Sequence, residues 1–128
     1  MDRQKPKRVL LVDDEPNILT AVEFILKQQG LEIDKAMNGE RALRKMDIFK
    51  PDIIILDVMM PGMSGFEVAK VIRSNPAYED VRIIFLTAKG TMEDKMNGYA
   101  NGGEIYLTKP FENSELISII NEVVEFGI

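Results

Sequence analysis

Four consecutive apolar residues, Ile53-Ile54-Ile55-Leu56, lie between Asp52 and Asp57. A strand with no polar side chain on either face has to be covered on both, which suits the centre of a parallel sheet flanked by helices. The rest of the chain follows the same alternation. Short apolar runs at Arg8 to Val12, Glu32 to Ala36, Arg82 to Leu86 and Ile105 to Leu107 are separated by stretches of helical spacing. Successive βα units of this kind predict an α/β fold with a parallel sheet.

Ile18, Val22, Ile25 and Leu26 repeat at helical spacing, as do Ala42, Met46 and Phe49, then Phe66, Ala69 and Ile72, and finally Leu116, Ile120, Val123 and Val124. Start signals agree: Pro16 suits a first helical position, Ser64 with Glu67 and Thr91 with Asp94 form capping boxes, and Asn113 is placed to cap the last helix. The stretch from Thr91 to Gly103 is the weakest helix, because Asn97, Gly98 and Asn101 lower its propensity, and it is expected to be the most mobile element.

At 128 residues the chain has the size of one domain, 1–128, without an internal repeat or a linker. It has no cysteine and no histidine, which removes thiolate sites, histidine-based general bases and serine-type triads. Carboxylates, hydroxyls and lysines remain for chemistry. A net charge of -5 does not suit wrapping nucleic acid, and the apolar run Val9 to Val12 behind the basic N-terminus is too short for a signal peptide or a membrane span. The cytoplasm is the natural location.

In a doubly wound sheet, ligands bind beyond the carboxyl ends of the strands. The first strand is followed by Asp13 and Asp14, the third by Asp57, the fourth by Thr87 and Ala88, and the fifth by Lys109 and Pro110. Each has an ordinary structural explanation when taken singly: acids at a helix start, a turn aspartate, a strand-end threonine, a solvated lysine. The ordered convergence of three carboxylates, a hydroxyl and an ammonium on one rim is poorly explained by coincidence.

Val12-Asp13-Asp14-Glu15-Pro16, Leu56-Asp57-Val58-Met59-Met60-Pro61-Gly62-Met63-Ser64-Gly65, Leu86-Thr87-Ala88 and Tyr106-Leu107-Thr108-Lys109-Pro110-Phe111 together resemble the CheY-like receiver domains of two-component response regulators. The likeness covers practically the whole chain. It implies a flavodoxin-like, five-stranded parallel sheet of order 2-1-3-4-5 with helices on both faces. It further implies that Asp57 accepts a phosphoryl group from a phosphohistidine on a sensor histidine kinase or phosphotransfer protein. Mg2+ would be held by Asp14 and Asp57, by Asp13 partly through water, and by the Met59 carbonyl, relieving the repulsion among carboxylates. Lys109, the Thr87 hydroxyl and backbone amides near Met59 and Ala88 would bind the phosphoryl oxygens. The resemblance also implies a cis bond at Lys109-Pro110 and a conformational switch in which Thr87 moves toward the phosphoryl group and Tyr106 rotates into the space it leaves. Gly103, Glu104 and Ile105 depart from the Ala-Asp-Asp often found there in receivers.

A downstream effector is expected to dock near the fourth helix, fifth strand and fifth helix. From Phe111 to Ile128 every charged residue is acidic (Glu112, Glu115, Glu122, Glu125), so a dimer built on last-helix ion pairs is not expected. A monomer, or a dimer through another surface, and a partner with a basic patch fit better. Met59 and Lys89 should flank the path of a hydrolytic water, predicting slow loss of the phosphoryl group. An aspartate-based phosphatase of the haloacid dehalogenase type would want an Asp-x-Asp pair after the first strand, whereas here the acids are adjacent. A flavodoxin would want a hydroxyl- and glycine-rich phosphate loop there, and Asp13-Asp14-Glu15 would repel a flavin phosphate.

Overall fold

The computed structural model describes residues 7–88 and 105–126. In chain order its elements are β1 (Arg8–Val12), α1 (Pro16–Lys27), β2 (Glu32–Ala36), α2 (Gly39–Phe49), β3 (Ile53–Asp57), α3 (Gly65–Arg73), a 3-10 turn (Pro76–Tyr78), β4 (Arg82–Ala88), β5 (Ile105–Lys109) and α4 (Asn113–Phe126). All strand pairs are parallel, and the order across the sheet is β2-β1-β3-β4-β5. The expected helix from Thr91 to Gly103 lies outside the described residues, as do the Thr91/Asp94 capping box, Lys89, Gly103 and Glu104.

Side-chain alternation along the apolar strands splits the interior into two cores. Leu10, Val12, Ile54, Leu56, Ile83 and Phe85 face α2 and α3, meeting Ala42, Met46, Val68, Ala69 and Ile72. Their neighbours Val9, Leu11, Ile53, Ile55, Ile84 and Leu86 face α1 and α4, meeting Leu19, Val22, Leu26, Leu116, Ile120 and Val123. The uninterrupted run Ile53 to Leu56 is thus two alternating strand faces read together. Val124, placed in the apolar set by spacing, is instead exposed, because the next residue round the helix, Val123, fills the core position.

The edge strand β2 reads Glu-Ile-Asp-Lys-Ala and protects itself with charge. Its Glu32 N–H donates to the Lys7 carbonyl at 2.9 Å, so alternate residues turn their backbone toward β1 and Lys35 turns its backbone outward. Both outward groups of Lys35 are covered: its N–H donates to Asp34 Oδ1 at 2.8 Å, and its carbonyl accepts from Lys45 Nζ at 2.7 Å. Lys45 also donates to Asp34 Oδ1 at 2.9 Å, closing the set across α2 and β2.

The ladder extends further than apolar character alone predicts. Asp57 pairs with Leu86, Thr87 with Thr108 and Ala88 with Lys109, so these residues end their strands rather than follow them. Backbone pairing is indifferent to side-chain polarity, which is why strands stopped at Leu56, Leu86 and Leu107 come out one or two residues short. Pro16 opens α1, and Ser64 and Glu67 form the reciprocal capping box of α3, both as anticipated. Asn113 is not the cap of the last helix. The Glu112 carbonyl accepts from Leu116 N–H at 3.2 Å, and the Glu115 carboxylate accepts from Glu112 N–H at 2.8 Å, which makes Glu112 the cap and Asn113 the first helical residue.

Gly65 opens α3 hard against the end of β3, where its N–H donates to the Val58 carbonyl at 3.0 Å. A Cβ there would stand 2.4 Å from the Asp57 carbonyl oxygen and 3.0 Å from Val58 Cα, both backbone atoms that cannot swing away. Gly65→Ala is therefore expected to lower stability by about 1–3 kcal/mol, seen as a lower urea midpoint with an unchanged slope.

Candidate functional site

The carboxyl ends of β1, β3, β4 and β5 bring together Asp13, Asp14, Asp57, Thr87, Ala88 and Lys109. Backbone bonds fix the rim. Asp13 N–H donates to the Ala36 carbonyl at 3.2 Å and Val58 N–H to the Leu86 carbonyl at 2.9 Å. Asp13 and Asp57 are buried at 1% and 4% exposure and Asp14 is half-buried, although all three are acids at the end of an apolar sheet.

Lys109 makes that burial tolerable. Its Nζ lies 3.0 Å from Asp13 Oδ2, 3.5 Å from Asp57 Oδ1 and 3.6 Å from Glu15 Oε1. The Lys109-Pro110 peptide is cis, as the resemblance implied. Further bonds come from backbone amides: Glu15 N–H donates to Asp13 Oδ1 at 2.9 Å, and Met59 N–H to Asp57 Oδ1 at 3.3 Å. The Met59 side chain stands out at the rim, 58% exposed.

Desolvation pushes the Asp57 carboxyl up to about 6, with the charge of Asp13 and, more weakly, Asp14 adding to it, while Lys109 and the Met59 amide pull it back. Lys109 is pulled both ways. Burial favours the neutral amine, but the bond from Asp13 and the charges of Asp13, Asp57 and Glu15 win and hold the ammonium above its ordinary range. It is therefore a permanent cation at neutral pH.

One oxygen from each of Asp13, Asp14 and Asp57 can be chosen so that all lie within 4.8 Å of one another. Ligands of an octahedral magnesium ion are at most about 4.2 Å apart, twice a bond of about 2.1 Å, so a small inward adjustment makes these acids a ligand set. The donors are all oxygen, as that ion prefers. Thr87 is buried, with its hydroxyl donating to the Ala88 carbonyl at 2.9 Å. The Tyr106 hydroxyl is buried as well, and its ring lies 5.2 Å from that of Phe85 and 6.5 Å from that of Phe66. The approach of Glu15 to Lys109 brings to the site a side chain whose role was not anticipated from the sequence. Its only signal there is position, directly after the acidic pair.

Residues 9–121 match the family model of the response regulator receiver domain. The chain is 38% identical over 118 residues to the alkaline phosphatase synthesis transcriptional regulatory protein PhoP of Bacillus subtilis, covering 92% of this chain and 48% of that protein. It is 37% identical over 113 residues to the transcriptional regulatory protein TrcR of Mycobacterium tuberculosis, covering 88% and 43%. The chain thus spans about half the length of the curated relatives it matches. Among solved structures, the chemotaxis response regulator CheY4 of Vibrio cholerae superimposes with a TM-score of 0.85 at 36% identity, covering 93% of this chain and 99% of that one. A response regulator receiver from Bermanella marisrubri gives 0.83 at 32%, covering 94% and 100%.

The raised Asp57 sets a sign for pH dependence without divalent metal. Between the ordinary value of 3.8 and about 6 the folded state binds the Asp57 proton more tightly than the unfolded chain does. Through this group, stability therefore falls as pH rises across that window. Asp57→Asn, which cannot ionise, is expected to be more stable than the parent by on the order of 2–3 kcal/mol at pH 8, and nearly equal to it near pH 4. Urea titrations in chelator at the two pH values check this.

Proposed function

This chain belongs to the response regulator receiver domain family, and from that premise we propose that residues 1–128 act as one phosphoacceptor unit in which Asp57 takes up a phosphoryl group. The observation that carries the reading is the lysine at the meeting point of the acids, with Lys109 Nζ within 3.5 Å of Asp57 Oδ1 and 3.0 Å of Asp13 Oδ2. An aspartate held beside a fixed cation, next to two further acids, is suited to receive a group bearing negative oxygens.

In this reading a bond forms between an Asp57 carboxylate oxygen and the phosphorus of a phosphohistidine on a sensor kinase or phosphotransfer protein. The phosphorus–nitrogen bond breaks and its electron pair leaves with the imidazole. These 128 residues contain no histidine, so the donor histidine lies outside them. Asp14, Asp57, Asp13 and the Met59 carbonyl would hold Mg2+, which supplies charge neutralisation for the phosphoryl oxygens. Lys109 supplies a second cation from its place at the end of β5. The Met59 amide, already directed at Asp57, supplies a donor, and the Ala88 amide another.

Phosphorylation adds about two negative charges beside Lys109 and Thr87. Thr87 would then exchange its bond to the Ala88 carbonyl for one to the phosphoryl group, and Tyr106 would adjust its packing on Phe85 and Phe66. A shift of this kind would be read on β5 and the last helix, whose exposed charges in the described part are Glu112, Glu115, Glu122 and Glu125. A partner surface rich in lysine or arginine suits them. Among the described residues no helix is long and apolar enough to cross a membrane, which is compatible with a place in the cytoplasm.

Two measurements test the assignment. Incubation with a small acyl phosphate and Mg2+ is expected to add one phosphoryl group by intact mass, and neither Asp57→Asn nor the parent in chelator should gain it. Equal uptake by Asp57→Asn sinks the proposal. The lifetime of the product provides the second. The exposed Met59 thioether obstructs an incoming water without orienting it, so the parent should lose phosphate slowly and Met59→Asn should lose it several-fold faster in Mg2+-containing buffer.

A further inference from the structure

Glu15 occupies the N-cap of α1 with extended backbone, φ -102 and ψ 112. Its carbonyl accepts from Ile18 N–H at 3.1 Å and Leu19 N–H at 3.2 Å, so the helix starts from it. At such a position serine, threonine, aspartate or asparagine satisfies an orphan amide with its own side chain. The Glu15 side chain caps nothing. Its carboxylate reaches across the rim to Lys109 Nζ at 3.6 Å, and it is 63% exposed where Lys109 is 20% exposed.

Three carboxylates therefore share one ammonium, and they are not equivalent. Asp13 and Asp57 belong to the three-acid cluster, while Glu15 lies outside it. It is the solvent-side anion on the lysine that, among the described residues, an incoming phosphoryl group would meet. A residue that breaks a local rule of helix capping while contacting the site is best explained by the site.

We propose that Glu15 is a positioning residue that ties the Lys109 ammonium at the rim before transfer and has to release it to the phosphoryl oxygens, so that it restrains phosphorylation of Asp57 at some cost to α1. This rests on the phosphoacceptor reading of Asp57. An exposed contact of this length restrains the rate only about two- to fivefold, and salt weakens it.

The test uses the full chain, saturating Mg2+ and a small acyl phosphate, with uptake followed by intact mass. Glu15→Ser removes the anion and supplies a cap. It is expected to take up phosphate about two- to fivefold faster at low salt, to lose most of that advantage near 1 M salt, and to melt at a higher temperature than the parent. Glu15→Asp keeps the charge and can cap, but is too short to reach Lys109, and it should also be faster and more stable. If Glu15→Ser is no faster, or melts lower, the inference fails while the phosphoacceptor reading stands. If Glu15→Asp stays as slow as the parent, diffuse negative charge is responsible and the tie is refuted. A parent that gains no phosphoryl group overturns the phosphoacceptor reading and this inference with it.

Discussion

Among the described residues, the arrangement at the carboxyl rim depends on a single ammonium, that of Lys109. Asp13 and Asp57 are acids buried where an apolar sheet ends, and at an effective dielectric near 20 two such charges about 4 Å apart repel by on the order of 4 kcal/mol. Lys109 touches both and stays charged because they hold it so. Desolvation and repulsion are only partly offset, which is why Asp57 remains a weaker acid than usual. The site is left electrostatically unfinished. Further positive charge from the proposed divalent ion would relieve it, and a phosphoryl group would bring in oxygens that the same cations could hold.

The sheet places these groups without help from loops of its own. Strands pairing in register carry these groups to one rim in steps: Asp57 lies beside Leu86, and one and two residues further along the ladder come Thr87 beside Thr108 and Ala88 beside Lys109. The two cores then lock the strands from either side, and Gly65 lets α3 close on the end of β3 where any larger residue would press on the Asp57 carbonyl. Precision at the rim is thus a product of apolar packing some distance below it.

Much of this was legible in the sequence, and what was missed has physical reasons. The run Ile53 to Leu56 announced a doubly covered strand because burial on both faces leaves no place for a polar side chain. The acids, threonine and lysine stood out because each follows an apolar run. The true strand ends were not visible, since hydrogen-bonded pairing continues through Thr87, Thr108 and Lys109 regardless of polarity. The cap of the last helix slipped by one residue because Asn113 is the better capping type while Glu112 and Glu115 make the bonds. The meeting of Glu15 with Lys109 joins residues far apart in the chain, and no local pattern encodes it.

The covered edge of β2 bears on how this molecule can meet others. With Asp34 and Lys45 occupying the outward amide and carbonyl of Lys35, a foreign strand finds the backbone of that residue already engaged. Strand pairing at Lys35 would first have to break the Lys45–Asp34 ion pair. The same charged set that joins β2 to α2 thus makes the middle of this edge a poor template for a second copy of the chain.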